Sequence, residues 1–149
     1  MNTTTRTRMR EKLILKVVGR LFIPFILLFA FYVQFHGDFG PGGGFQAGVI
    51  FAAAFVLYGL IFGVDYAQKV ATPKVTEFCM ALGLILYVGT GFLCRFLGRN
   101  FLDYDALAPA HPMHGQHWGI LLVEAGVGIT VASTILMIYY MFARRGINS

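Results

Sequence analysis

The chain alternates long apolar runs with short polar breaks, at a spacing that suits helices crossing a membrane. Residues 39–64 and 125–143 carry no charged side chain. A hydrocarbon core about 30 Å thick is crossed by roughly 20 apolar helical residues, and both stretches are long enough. Two more runs qualify once charges at their ends reach toward the interface. They are residues 13–35, with Lys16 and Arg20 near the start, and residues 76–97, with Glu77 and Arg95 near the ends. The pattern predicts an all-α membrane protein of four transmembrane helices, over about 13–35, 45–64, 76–97 and 117–143, in a single integral-membrane domain, residues 1–149. No strand pattern competes with this reading, and no internal repeat of the kind found in many complete transporters is visible.

Charge adds an orientation. With four spans, both termini share one side with the loop 65–75. That side holds Arg6, Arg8, Arg10, Lys12, Lys16, Arg20, Lys69, Lys74, Arg144 and Arg145, whereas the other holds only Arg95 and Arg99. Basic residues favour the cytoplasmic side, so both termini are expected in the cytoplasm. The net charge of +5 is then explained by basic membrane-flanking ends, and no nucleic acid is implied. The first 12 residues are polar and basic and are expected to be disordered or to lie on the membrane surface. No small-x-small cleavage site follows the first apolar run, which is expected to be a retained helix and not a signal peptide.

The breaks carry local signals. Thr72-Pro73 reads as an N-cap followed by proline at the first helical position, with Glu77 expected in the first turn of the third span, where a carboxylate suits the helix dipole. Cys79 and Cys94 both fall in that span, roughly 22 Å apart along a helix. That is too far for a disulfide, so they read as small buried apolar residues. Small residues recur at four-residue spacing: Gly40, Gly44 and Gly48; Gly59 and Gly63; Gly115 and Gly119; Gly128 and Ala132. In lipid this spacing lets helix backbones approach closely.

The densest signal is the tract from His36 to Gly48, which holds six glycines around Pro41. Glycine leaves the backbone bare and admits positive φ, and proline removes a donor. No Lys-Ser or Lys-Thr follows the glycines, and no strand precedes them, which excludes a P-loop and a dinucleotide-binding turn. Pro41, Gly42, Gly43, Gly44 and Phe45 therefore read as a structural turn between the first two helices. The bare backbone would let neighbours approach, and the positive end of the second helix could face a polar cavity.

Candidate chemistry is sparse. Glu124 is the sharpest single residue, about seven residues into the expected fourth span, or roughly 10 Å from its outer end. An ionisable group inside a span is costly and faces a bundle interior, a cavity or a partner. A carboxyl group that trades a proton for a cation is what a proton or sodium pathway needs; pairing with a neighbouring subunit for assembly alone is the structural alternative. His111, His114 and His117 form an H-x2-H-x2-H series that could relay protons near an entrance or ligate a metal. Pro112 interrupts the series and no acid or cysteine ligand accompanies it, so a metal site is not expected. His36 and Asp38 stand at the other outer turn, where they could gather cations. His117 and His36 join Glu124 as ion-path candidates. No Ser-His-Asp or Cys-His arrangement suggests an enzyme, and no cofactor is expected.

The tract His36-Gly37, then Pro41-Gly42-Gly43-Gly44-Phe45-Gln46-Ala47-Gly48, resembles the signature of the MnhB/MrpB family, small subunits of the Mrp-type multisubunit sodium/proton antiporters. The fourth span, with His117, Gly119-Ile120-Leu121, Glu124, Gly126, Val127, Gly128, Thr130 and Val131, is similar to that family's second motif. The resemblance covers nearly the whole chain. It implies a small accessory subunit of a hetero-oligomer in the bacterial cytoplasmic membrane, whose partners are the other subunits of the complex. That complex exchanges internal Na+ for external H+ at the expense of the proton-motive force. It also implies that Glu124 is a candidate ion-path residue and that Pro41 to Phe45 are structural. Relatives in membrane-bound hydrogenase-type complexes keep an equivalent role open, as does a purely structural or assembly subunit. A self-sufficient four-helix exporter is disfavoured, because such chains carry an essential glutamate in the first span and this one has no acid there.

Overall fold

A computed structural model of the chain describes residues 3–37, 41–108 and 112–145. Its elements are α1 (Thr3–His36), α2 (Gly44–Phe62), the short α3 (Val64–Val70), α4 (Pro73–Phe96), a single 3-10 turn (Tyr104–Leu107) and α5 (Pro112–Arg145). Among the described residues four stretches are long and apolar enough to cross a membrane: Leu13–His36, Gly44–Phe62, Pro73–Phe96 and Met113–Arg144. The all-α, four-span architecture expected from the pattern is what the chain adopts.

The spans lie side by side in a row. α1 packs on α2, α2 on α5, and α5 on α4, while α1 barely touches α5. The surfaces that meet are made of small residues: Ala47, Gly48, Ala52, Ala54 and Gly59 are buried on α2, and Gly83, Thr90, Gly91 and Cys94 on α4. Large apolar side chains point outward, among them Leu21, Phe25, Leu28, Phe78, Ile85 and Phe92. Among the described residues Cys94 is the largest side chain that is fully buried. Lipid is as apolar as leucine, so packing in a bilayer favours this arrangement of small residues between helices and bulky ones outside.

Helix boundaries depart from the expected ones in instructive places. α1 continues toward the N-terminus to Thr3, ten residues ahead of its apolar stretch, so residues 3–12 are helical and not disordered. α4 starts at Pro73, where the Thr72 hydroxyl caps the helix by accepting from the Val75 N–H at 3.3 Å. The cap agrees with the sequence signal, but it makes Glu77 the fifth helical residue, outside the first turn, and exposed. α5 starts at Pro112, ahead of the expected start at 117, so His114 belongs to the helix and not to a loop, while His117 is helical as expected. Cys79 and Cys94 are free thiols, Cys94 buried and Cys79 half-buried.

Both ends of the row are tied down. At the end that carries the termini, Gly63 has φ 108°, a left-handed conformation that ends α2 and starts α3. Asp65 and Lys69 then sit in the first and last turns of α3, each at the dipole end that suits its charge. Ala67, Leu136 and Tyr140 form a buried cluster, and the Tyr140 hydroxyl donates to the Ala71 carbonyl at 2.9 Å. The Arg144 guanidinium donates to Gln68 Oε1 at 2.9 Å. At the opposite, turn end, the segment after α4 folds back over α4 and α5. Phe101 lies over Gly91, and Tyr104 over Gly115 and Gly119. The Gln116 amide donates to Asp105 Oδ1 at 2.8 Å. Burial there, with Cys94 and Tyr87 nearby, pushes the Tyr104 phenol above its ordinary value, so it stays neutral.

Candidate functional site: a glycine cradle around Glu124

α2 and α5 run parallel with a constant pairing: Gly44 meets Glu124, Gly48 meets Gly128, and Gly59 meets Tyr139. Such contact demands bare backbone. A methyl group on Gly44 would overlap the Glu124 carbonyl oxygen, and one on Gly48 would lie 2.6 Å from the Gly128 oxygen. The α1–α2 turn is held in place by the Gly43 N–H, which donates to the Val33 carbonyl at 3.3 Å. Gly42 also presses on that carbonyl, where a methyl group would come to 2.8 Å.

The turn closes on the carboxylate of Glu124. A Cβ on Gly37 would lie 2.7 Å from its Oε2 and 2.9 Å from its Oε1; one on Gly43 would lie 3.2 Å from Oε1. Gly43 has φ 122° and ψ 171°, a region open essentially to glycine alone. It is also the residue that caps α2, so the positive end of that helix's dipole faces the half-buried carboxylate. The glycine tract and Glu124, 76 positions or more apart in sequence, are one site.

Glu124 is twelve residues from Pro112, about 18 Å along the helix. α5 thus rises well past the α1–α2 turn, and Glu124 is level with the N-terminus of α2. His117 stands two turns further toward the turn end, about 10 Å from Glu124 along the axis and on the same stripe of α5. It is exposed, with its ring 6.3 Å from that of Trp118, and His114 is exposed as well. His36 closes α1, half-buried and stacked on Tyr32 at 4.9 Å. Pro41 and Phe45 are exposed, so of the five turn residues it is the glycines that form the cradle. Asp38, Gly40 and His111 lie outside the described residues. Among the described residues, no three His, Cys, Asp or Glu side chains come together as a metal site would require.

One participant carries no signal in the hydropathy pattern. Gln34 of α1 places its Oε1 against Gly128, where a Cβ would meet it at 2.7 Å, one turn of α5 beyond Glu124. A lone amide in an apolar run, one turn before a glycine tract, is the only mark it leaves in the sequence.

A row of four apolar spans with open faces, and a carboxylate held in bare backbone between two of them, defines a polytopic membrane subunit with an intramembrane acid. Residues 14–137 match the family described as a domain related to the MnhB subunit of Na+/H+ antiporter. A relative from Staphylococcus epidermidis is 34% identical over 131 residues, covering 82% of this chain and 92% of the relative. One from Staphylococcus haemolyticus is 35% identical over 128 residues, and one from Staphylococcus aureus 33% over 127; each match covers 84% of this chain and 89% of the relative. All three carry the name antiporter subunit mnhB2. The chain belongs to the MnhB-related family.

Proposed function

We propose that this chain is a small multi-pass subunit of a multisubunit Na+/H+ antiporter in the bacterial membrane, assembled with other subunits of the Mnh type, and that Glu124 belongs to the ion path. Family membership supports the first part. The carboxylate in its glycine cradle at the N-terminus of α2 supports the second. An intramembrane acid is costly and faces the bundle interior, a cavity or a partner, and this one is met by bare backbone and a helix dipole. The termini face the cytoplasm in this reading, on the strength of ten basic residues against two. The Glu124 site then lies in the half of the membrane from which protons arrive, and His117 stands on the approach to it. The subunit contributes helix packing and part of a route for ions; it is a transporter component, not an enzyme.

The test combines assembly and exchange. A tagged copy co-purifies with several larger membrane proteins. Glu124→Gln leaves that complex assembled but lowers sodium-dependent dequenching of a pH dye in everted vesicles by about a hundredfold or more, the scale of one essential proton-transfer group. Normal exchange in an assembled Glu124→Gln complex would remove Glu124 from the ion path and leave the subunit role standing.

A further inference from the structure

Gln34 is a polar side chain whose place in the fold has no packing explanation. Its Nε2 is fully buried and makes no hydrogen bond within the described residues. Leaving a buried amide donor unsatisfied is destabilising, and a leucine would fill the same apolar helix without that cost. The amide oxygen is turned to the bare backbone of Gly128, and the Gly128 position is also crowded by the Gly44 carbonyl. The side chain therefore reaches from α1 across to the α2–α5 crossing that holds Glu124. Gln68, whose Nε2 is likewise without a partner, differs in kind: its oxygen takes the exposed Arg144 at the end that carries the termini.

Resting on the reading of Glu124 as an ion-path residue, we propose that Gln34 is a positioning residue of the same site: its Nε2–H donates to a water that serves the Glu124 carboxylate from one turn of α5 away. A glutamine amide nitrogen can only donate, so it holds an oxygen and not a cation. Water with two or more polar partners is the occupant such a buried donor suits. The partners assigned to it are the Gln34 amide, the Glu124 carboxylate and the Gly44 carbonyl, which meets the same Gly128 position as Gln34 Oε1. The water would carry a proton to or from the acid, which assigns this crossing to the proton side of the exchange.

The experiment uses the whole antiporter in everted vesicles, with assembled complex quantified by a tag and sodium varied. Gln34→Leu is expected to leave assembly intact and lower the maximal exchange rate per complex by about tenfold, the scale of one lost hydrogen bond to a reacting group, with the apparent KM for sodium unchanged. Gln34→Asn, which keeps a donor, is expected to recover part of that rate. In the Glu124→Gln background, Gln34→Leu should add nothing, because the two residues act as a unit. A raised KM for sodium with a normal maximal rate would make Gln34 a cation ligand and overturn the proposal. A fall in assembly with normal exchange per complex would make it a packing residue and do the same. A silent Gln34→Leu beside an impaired Glu124→Gln overturns this inference alone; a silent Glu124→Gln overturns both.

Discussion

α5 makes two close crossings, one with α2 and one with α4, and they are built from the same material to different ends. On the α4 side, Gly83 meets Gly126 and Thr130: a Cβ on Gly83 would lie 2.6 Å from the Gly126 oxygen, and one on Gly126 would lie 2.8 Å from the Gly83 oxygen. The threonines there are satisfied within their own helices. The Thr130 hydroxyl donates to the Gly126 carbonyl at 2.8 Å, Thr134 to Thr130 at 2.7 Å, and Thr90 to Leu86 at 2.7 Å. On the α2 side the glycines are as tight, but they enclose the Glu124 carboxylate and meet the Gln34 amide, whose Nε2 makes no hydrogen bond among the described residues. Glycine spacing thus marks close approach in both places and function in neither; the chemistry of what the glycines surround separates a seam from a site.

The largest effects should strike both crossings alike, because packing is what they share. Gly44→Ala sets a methyl group on the Glu124 carbonyl, and Gly83→Ala sets one on the Thr130 hydroxyl and the Gly126 oxygen. Each forces helix backbones apart, at a cost on the order of 3 kcal/mol. Both variants should lose most of the assembled complex on native gels of membrane extracts. Gly89→Ala, with open space around it, should lose none. Retention of the complex by Gly83→Ala alone would mean that α4 is held mainly by partners and not by α5.

Gly43→Ala sharpens the contrast at smaller scale. Its methyl group would stand 3.2 Å from Glu124 Oε1 in a backbone region that costs alanine about 1–3 kcal/mol. Gly98→Ala supplies the control: it too has positive φ, 83°, but nothing within 4 Å. Gly98→Ala should lower the amount of complex modestly and leave exchange per complex unchanged. Gly43→Ala should lower both, since it crowds the carboxylate itself. Equal behaviour of the two would reduce the cradle to a turn.

The spans are readable from the sequence because charge-free runs of this length have few alternatives. Thr72-Pro73 is readable because capping is local. The start of α5 is not: His114, Gly115 and Gln116 look like loop to hydropathy, and they are helical against Tyr104 and Asp105 from the preceding turn. The glycine tract and Glu124 each stand out alone, yet their union depends on how α2 pairs with α5, which no local pattern encodes. Gln34 shows the limit. A single amide in an apolar run carries no message until the fold brings it against Gly128.

The smallest effect is the most discriminating. Thr130→Val keeps the β-branched shape that Gly83 accommodates and deletes only the hydroxyl. The Gly126 carbonyl keeps its ordinary helical donor, the backbone N–H four residues on. Side-chain hydrogen bonds between or along membrane helices average about 0.6 kcal/mol, so assembly should fall by no more than about threefold. If the α4 crossing is only a seam, sodium-dependent exchange per assembled complex should match the unsubstituted protein. Exchange reduced to the level of Glu124→Gln would mean that the Thr130 hydroxyl takes part in ion passage. The path would then extend to the α4 face of the helix as well, and that crossing would be more than a seam.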